Sequence, residues 1–155
     1  MARTYAVTFE KVSISATQDL FQINGASGKM LRIKRIAVSS VDATPPTAGM
    51  LALRCSLLTA TVTNGSGGSS PTPRPLDLGD AAASFTAKAN NTTPATTNGT
   101  KTTIEENGCH LYAGFDYSFP VPPVVGPSEA FVFELITTPN SFTGSGTVIV
   151  EEIGG

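Results

Sequence analysis

Apolar residues recur along most of this chain at every second position, the period that sends neighbouring side chains to opposite faces of a strand. Between Thr4 and Glu10, Tyr5, Val7 and Phe9 alternate with polar neighbours, and Val12 and Ile14 continue the run in the other phase. Gln18 to Asn24 repeats the pattern, with Leu20 opposite Phe21 and Ile23, and ends at Asn24-Gly25, a favoured hairpin dipeptide. MLRIKRIAVSS (30–40) is the clearest strand. Leu31 and Ile33 share one parity there, Ile36 and Val38 the other, and a β-bulge near Lys34-Arg35 would bring all four to one side.

Met50 to Leu57 places Leu51, Leu53, Cys55 and Leu57 inward, with Ala52, Arg54 and Ser56 outward. Thr103–Glu106 and Cys109–Phe119 read as strands around Asn107-Gly108, and Phe115, Tyr117 and Phe119 share a face. Pro120, Pro122, Pro123 and Pro127 then impose an extended loop, since proline donates nothing to a ladder. AFVFELIT (130–137) and GTVIVEEI (146–153) close the chain as strands buried in part on both faces. Only Ala81 to Lys88, with Asp80 as N-cap, competes as a helix, and its Ser and Thr content favours an extended segment. Short strands parted by Gly, Pro and Asn turns predict an all-β fold: an antiparallel β-sandwich or jelly roll in one domain, residues 1–155.

One stretch breaks the pattern. Val62 to Thr103 is nearly devoid of large apolar residues, and its Thr, Ala, Pro, Asn and Gly content predicts a long extended loop or arm carried within the domain.

Composition sharpens this picture in two ways. Only 14% of residues are charged, against about 25% in a typical soluble domain, which suits a protein packed against neighbours. All ten Lys and Arg lie between Arg3 and Lys101, whereas seven acids and no base follow Thr102. Either early and late strands interleave and neutralise one another, which is the favoured reading, or the molecule has a basic and an acidic side. No basic cluster with interleaved aromatics points to nucleic acid. The opening MARTYAVTFEKVSIS has no long apolar core, so neither a signal peptide nor a membrane span is expected.

Candidate chemistry is sparse. The one histidine, His110, follows Cys109 directly, and strand neighbours point apart, so the two cannot pair as base and nucleophile. Cys55 shares parity with three leucines and reads as a buried thiol, though a Cys55–Cys109 bridge stays open. Two cysteines match no zinc spacing. Glu105-Glu106 and Glu151-Glu152 could form a carboxylate pair only across strands, and solvated or salt-bridged carboxylates are the simpler reading. Tryptophan is absent, which removes the usual sugar-stacking platform. Gly65-Ser-Gly-Gly lacks the Lys-Ser/Thr of a phosphate loop and reads as a flexible turn. No enzyme activity, cofactor or metal is expected.

Three passages carry a resemblance. SISATQDLFQINGASGKMLRIKRIAVSS, GSGGSSPTPRPLDLGDAAASFTAKANNTTPATTNGT and the closing GPSEAFVFEL with VEEIGG resemble small phage and prophage β proteins encoded among head genes. That resemblance implies a virion structural protein, a head decoration (cement) protein of jelly-roll type. It implies a protein that is often trimeric, that binds the major capsid protein and that assembles in the host cytoplasm. A phage-fibre receptor- or carbohydrate-binding module is the alternative. The central segment then reads as a contact arm toward a sister subunit or the capsid, with Leu76, Leu78 and Phe85 as apolar anchors and Arg74 and Lys88 as charge partners.

Overall fold

The computed structural model describes residues 1–154, and among them there is no helix. The strands are β1 (Ala2–Ile14), β2 (Gln18–Asn24), β3 (Met30–Ser40), β4 (Met50–Leu58), β5 (Val62–Thr63), β6 (Arg74–Pro75), β7 (Thr86–Asn91), β8 (Thr96–Thr97), β9 (Lys101–His110), β10 (Phe115–Ser118), β11 (Val124–Val125), β12 (Ala130–Leu135) and β13 (Phe142–Ile153). One sheet runs β10-β3-β13-β1-β6, with β11 also on β3. The second runs β7-β2-β12-β4-β9, and β5-β8 form a small third ladder. Every pairing is antiparallel.

Taking β1, β2, β3, β4, β9, β10, β12 and β13 as strands one to eight, the sheets read 1-8-3-6 and 2-7-4-5. That interleaving is the double Greek key of a jelly roll. It also explains why Asn24-Gly25 is not the predicted hairpin turn. β2 and β3 lie in opposite sheets, so the chain crosses the sandwich there. Gly25 serves close packing instead, since a Cβ on it would sit 1.9 Å from the Gly126 carbonyl oxygen. Asn107-Gly108 is no turn either. β9 runs straight through it, and the chain reverses at residues 111–114, where the Ala113 and Gly114 N–H groups donate to the His110 carbonyl.

The phase breaks in the sequence are bulges. Ile149 pairs with Arg35 and Val150 with Ile33, so Lys34 is the extra residue. Leu31, Ile33, Ile36 and Val38 all reach the core, none more than 3% exposed. Changing Ile33 or Ile36 to Val is expected to lower the urea-melt stability by about 0.5–1.5 kcal/mol each, while Lys34→Ala stays within about 0.5 kcal/mol. In β1 the phase changes between Phe9 and Val12, with Lys11 at φ 51°. A third break, between Phe133 and Glu134 opposite β2, turns Leu20 into the same core as Phe21 and Ile23, contrary to the simple alternation.

The main core lies between the sheets, with Tyr5, Phe21, Phe131 and Phe133 as its largest fully buried side chains. β12 is buried along its whole length, as its sequence suggests. Phe131, Phe133 and Leu135 face the main core, while Ala130 and Val132 face a second, smaller one with Leu58 and Ala95.

That second core exists because the polar segment is not a projecting arm. Residues 59–100 connect β4 to its neighbour β9 and fold back as a strap over the outside of the second sheet. At its far reach the strap adds β7 to β2 and β6 to β1, closing the same edge of both sheets. Ala81–Lys88 is extended rather than helical, as favoured, and joins that edge.

Early bases meet late acids across the sheets, the interleaving reading of the charge pattern. Arg32 and Lys34 pair with Glu151, Arg35 with Asp116, and Arg54 and Lys101 with Glu134.

Candidate functional site

The five residues predicted as partner contacts do not form one surface. Arg74 opens β6, and Leu76 and Leu78 sit on the exposed turn that follows it. Leu76 is 58% and Leu78 96% exposed. Phe85 points the other way, into this chain's own core, where its ring meets Tyr5 edge-on at 5.6 Å. It is an internal anchor of the strap, so its role as an external one is corrected. Isolation among polar neighbours marked an anchor but not its direction. Lys88 lies half-buried on β7 and donates to Ser70 Oγ at 2.8 Å. Neither Arg74 nor Lys88 forms an ion pair with a late acid among the described residues.

The turn carrying Leu78 is braced. Leu76 N–H donates to the Thr4 carbonyl, Gly79 N–H to Asp77 Oδ1 at 2.9 Å, and Asp80 N–H to the Asp77 carbonyl. Asp80 also faces Arg3 Nε at 3.4 Å. Side-chain entropy aside, little ordering cost is left for a partner that covers these leucines.

Sequence reasoning missed the seam beneath the strap. Gln22, fully buried on β2, donates to Asn24 Oδ1 and Asn64 Oδ1 and accepts from Gly65 N–H and Asn91 Nδ2. Asp19 Oδ2 accepts the Ala95 N–H at 2.7 Å. Burial pushes the Asp19 carboxyl up to about 6, against the pull of the Ala95 bond. The glycines read as a flexible turn also set this seam. A Cβ on Gly68 would lie 2.1 Å from the Ala89 carbonyl oxygen, so the strap can approach β7 only without one. The available signal was the Gln18-Asp19 and Gln22 polarity inside a strand whose other face is apolar.

Glu134 stands beside this seam on β12. Arg54 grips it through Nε and Nη2, Ser56 Oγ donates to it at 3.1 Å, and Lys101 contacts its other oxygen. Burial raises the Glu134 carboxyl, but the hydrogen bonds and charges of Arg54 and Lys101 outweigh it and leave the group below its usual range.

The catalytic candidates stay apart. His110 is exposed, its Nδ1 accepting the Tyr112 N–H at 3.2 Å, and Cys109 occupies the alternate face of β9. Both cysteines are free, and burial pushes the Cys55 thiol up to about 12. Glu105 bonds Asn107 and Tyr117, Glu151 pairs with Arg32, and Glu152 accepts from Ser84 N–H and Oγ. Among the described residues no group of three or more His, Cys, Asp or Glu could hold a metal ion. A shallow trough of ≈ 450 Å³ crosses the outside of the first sheet, lined by small residues such as Thr8, Ala37 and Thr147 beside the Arg35–Asp116 pair.

No family model and no curated protein matches the chain. Among solved structures, a particle protein of infectious bursal virus is similar at 14% identity and TM-score 0.26, over 99% of this chain and 41% of that one. The chain thus spans about two fifths of that protein's length. VP17, a capsid protein of bacteriophage P23-77, is similar at 7% identity and TM-score 0.25, over 100% of this chain and 98% of that one. Both neighbours are viral particle proteins, and at these scores the likeness decides nothing about this chain's role.

Proposed function

We propose that this protein is a virion structural protein, a decoration protein that binds and stabilises a phage head through surface contacts rather than catalysis. The observation that carries this reading is the braced turn that holds two leucines, Leu76 and Leu78, outward side by side. Two neighbouring leucines on a turn held by its own hydrogen bonds, Leu78 at 96% exposure, suit an apolar anchor that a partner covers. The sequence resemblance to phage head decoration proteins supports the same role, with the major capsid protein as partner and a trimer as the working assembly. Under this reading Arg74, beside the leucines, adds a charge at the rim of the contact.

The fibre-module alternative draws less support. The trough on the first sheet is lined mostly by small residues, and its two aromatic rings are committed elsewhere: Phe9 is buried and Phe115 stacks on Phe133 of the core.

The test is co-sedimentation with heads of the source phage that lack this protein. Leu76→Asp combined with Leu78→Asp is expected to leave the melting midpoint within the range of a surface change, about 0.5 kcal/mol. Head binding should weaken by at least roughly 100-fold, the value of two buried leucines. Unchanged binding by a folded double variant would remove the leucines from the contact and with them the observation on which this reading rests.

A further inference from the structure

Two buried oxygens under the strap have no hydrogen-bond donor: Asp19 Oδ1 and Asn91 Oδ1. Each residue is 1% exposed, and the two are direct partners in the β2–β7 register. Partners of this kind hold their Cβ atoms about 4.5–5.5 Å apart, so carboxyl and amide come within reach of one another. Asn91 Nδ2 is already committed to Gln22 Oε1, which fixes its oxygen as the acceptor. Asp19 Oδ2 is committed to Ala95 N–H. With Asp19 ionised, a buried carboxylate oxygen and a buried amide oxygen on paired residues are both left without a donor. A single proton on Asp19 Oδ1 satisfies both.

We propose that Asp19 is a proton-operated latch for the strap, its neutral acid donating to Asn91 Oδ1 while it accepts the Ala95 N–H. Loss of that proton leaves two buried acceptors opposed and loosens residues 91–95 from β2 and β12. What the loosened strap uncovers is the small apolar core of Leu58, Ala130 and Val132. The charged groups facing Asp19 come from three neighbouring strands: Glu134 on β12, which favours the neutral form, and Arg54 on β4 and Lys101 on β9, which oppose it. Both cations are occupied by Glu134, and neither donates to Asp19. The strap itself presents Asp19 with a backbone N–H.

The direction follows from linkage. An acid whose carboxyl titrates near 6 when covered, against an ordinary value of 3.8 when open, binds its proton more tightly in the covered state. The strap is therefore held best at low pH and loses that hold as pH rises through about 6.

The experiment uses the whole chain. Amide exchange of Ala95, Gly65 and Thr93, corrected for intrinsic rates, is followed from about pH 5 to about pH 7.5. Protection is expected to fall roughly ten-fold in the wild type across that window. In Asp19→Asn, whose amide donates to Asn91 at every pH, it should stay flat. Carbon-13 titration of the Asp19 carboxyl in the unaltered protein needs no variant, and its midpoint is expected near 6. A midpoint near 4 would overturn the latch, as would parallel pH profiles in the two proteins. A wild-type profile abolished by millimolar calcium would also overturn it, since a cation rather than a proton would then join the two oxygens.

Discussion

Replacing residues 70–97 by a short Gly/Ser linker is expected to destroy the cooperative fold, not merely to trim its surface. The strap supplies Phe85, Ala87 and Ala89 to the main core and the edge strand β7 to the second sheet. Phe85→Ala alone should cost about 3–5 kcal/mol, a large part of the about 5–15 kcal/mol that holds a domain together. Removing β7 as well frees the β2 edge, and removing β6 frees that of β1. Ala95 leaves the outer core, and Asp19 and Gln22 lose their buried partners. Urea melts and amide NMR dispersion measure the outcome: the shortened chain should show no sharp transition and collapsed dispersion. A folded sheet with an unchanged midpoint would return the segment to the projecting arm that its polar composition suggests.

Glu134→Ala should be the most damaging single change to a charged residue, at about 1.5–3 kcal/mol, because it removes the shared partner of Arg54 and Lys101, each about a third exposed. The sign of its pH dependence is fixed by the lowered carboxyl of Glu134. A group lowered on folding contributes stability above the ordinary carboxylate range and loses it as pH falls through the folded value. The deficit of Glu134→Ala against wild type should therefore be full near neutral pH and shrink as pH falls below the ordinary carboxylate range in parallel chemical melts. A deficit that persists undiminished into acid would mean that packing, not charge, sets the cost. Replacing Arg54, Lys101 and Glu134 together with apolar residues of similar volume should recover much of the loss.

Period-two alternation carried most of the sandwich into view because each long strand has one face on the main core. It carried the Lys34 bulge too, since two apolar parities in one strand leave few other solutions. The strap escaped for a physical reason. Its cohesion comes from Gln22 bonding Asn64, Gly65 and Asn91, from Asp19 holding the Ala95 N–H, and from glycines that let backbones touch, none of which registers on a scale of apolar residues. Turn dipeptides misled at Asn24-Gly25 and Asn107-Gly108, because local propensity knows nothing of which sheet the next strand joins. Leu78 and Phe85 look alike in sequence, yet one stands in solvent and the other fills the core. Only the path of the strap around the β1 and β2 edge separates them.

The β1–β13 pairing has a consequence for synthesis. Its register runs from Ala2 opposite Ile153 to Ile14 opposite Phe142, so β1 waits for a partner made much later. At about 5–20 residues per second, the roughly 130–150 residues between partners take about 6–30 s to emerge from a ribosome. Throughout that interval Tyr5, Val7 and Phe9 lack the strand that joins them to their sheet, and the edge of β1 that β13 takes is open to the nascent chains of neighbouring ribosomes. Yield in the cell should therefore respond to elongation rate and chaperone supply more sharply than the stability of the finished molecule would suggest.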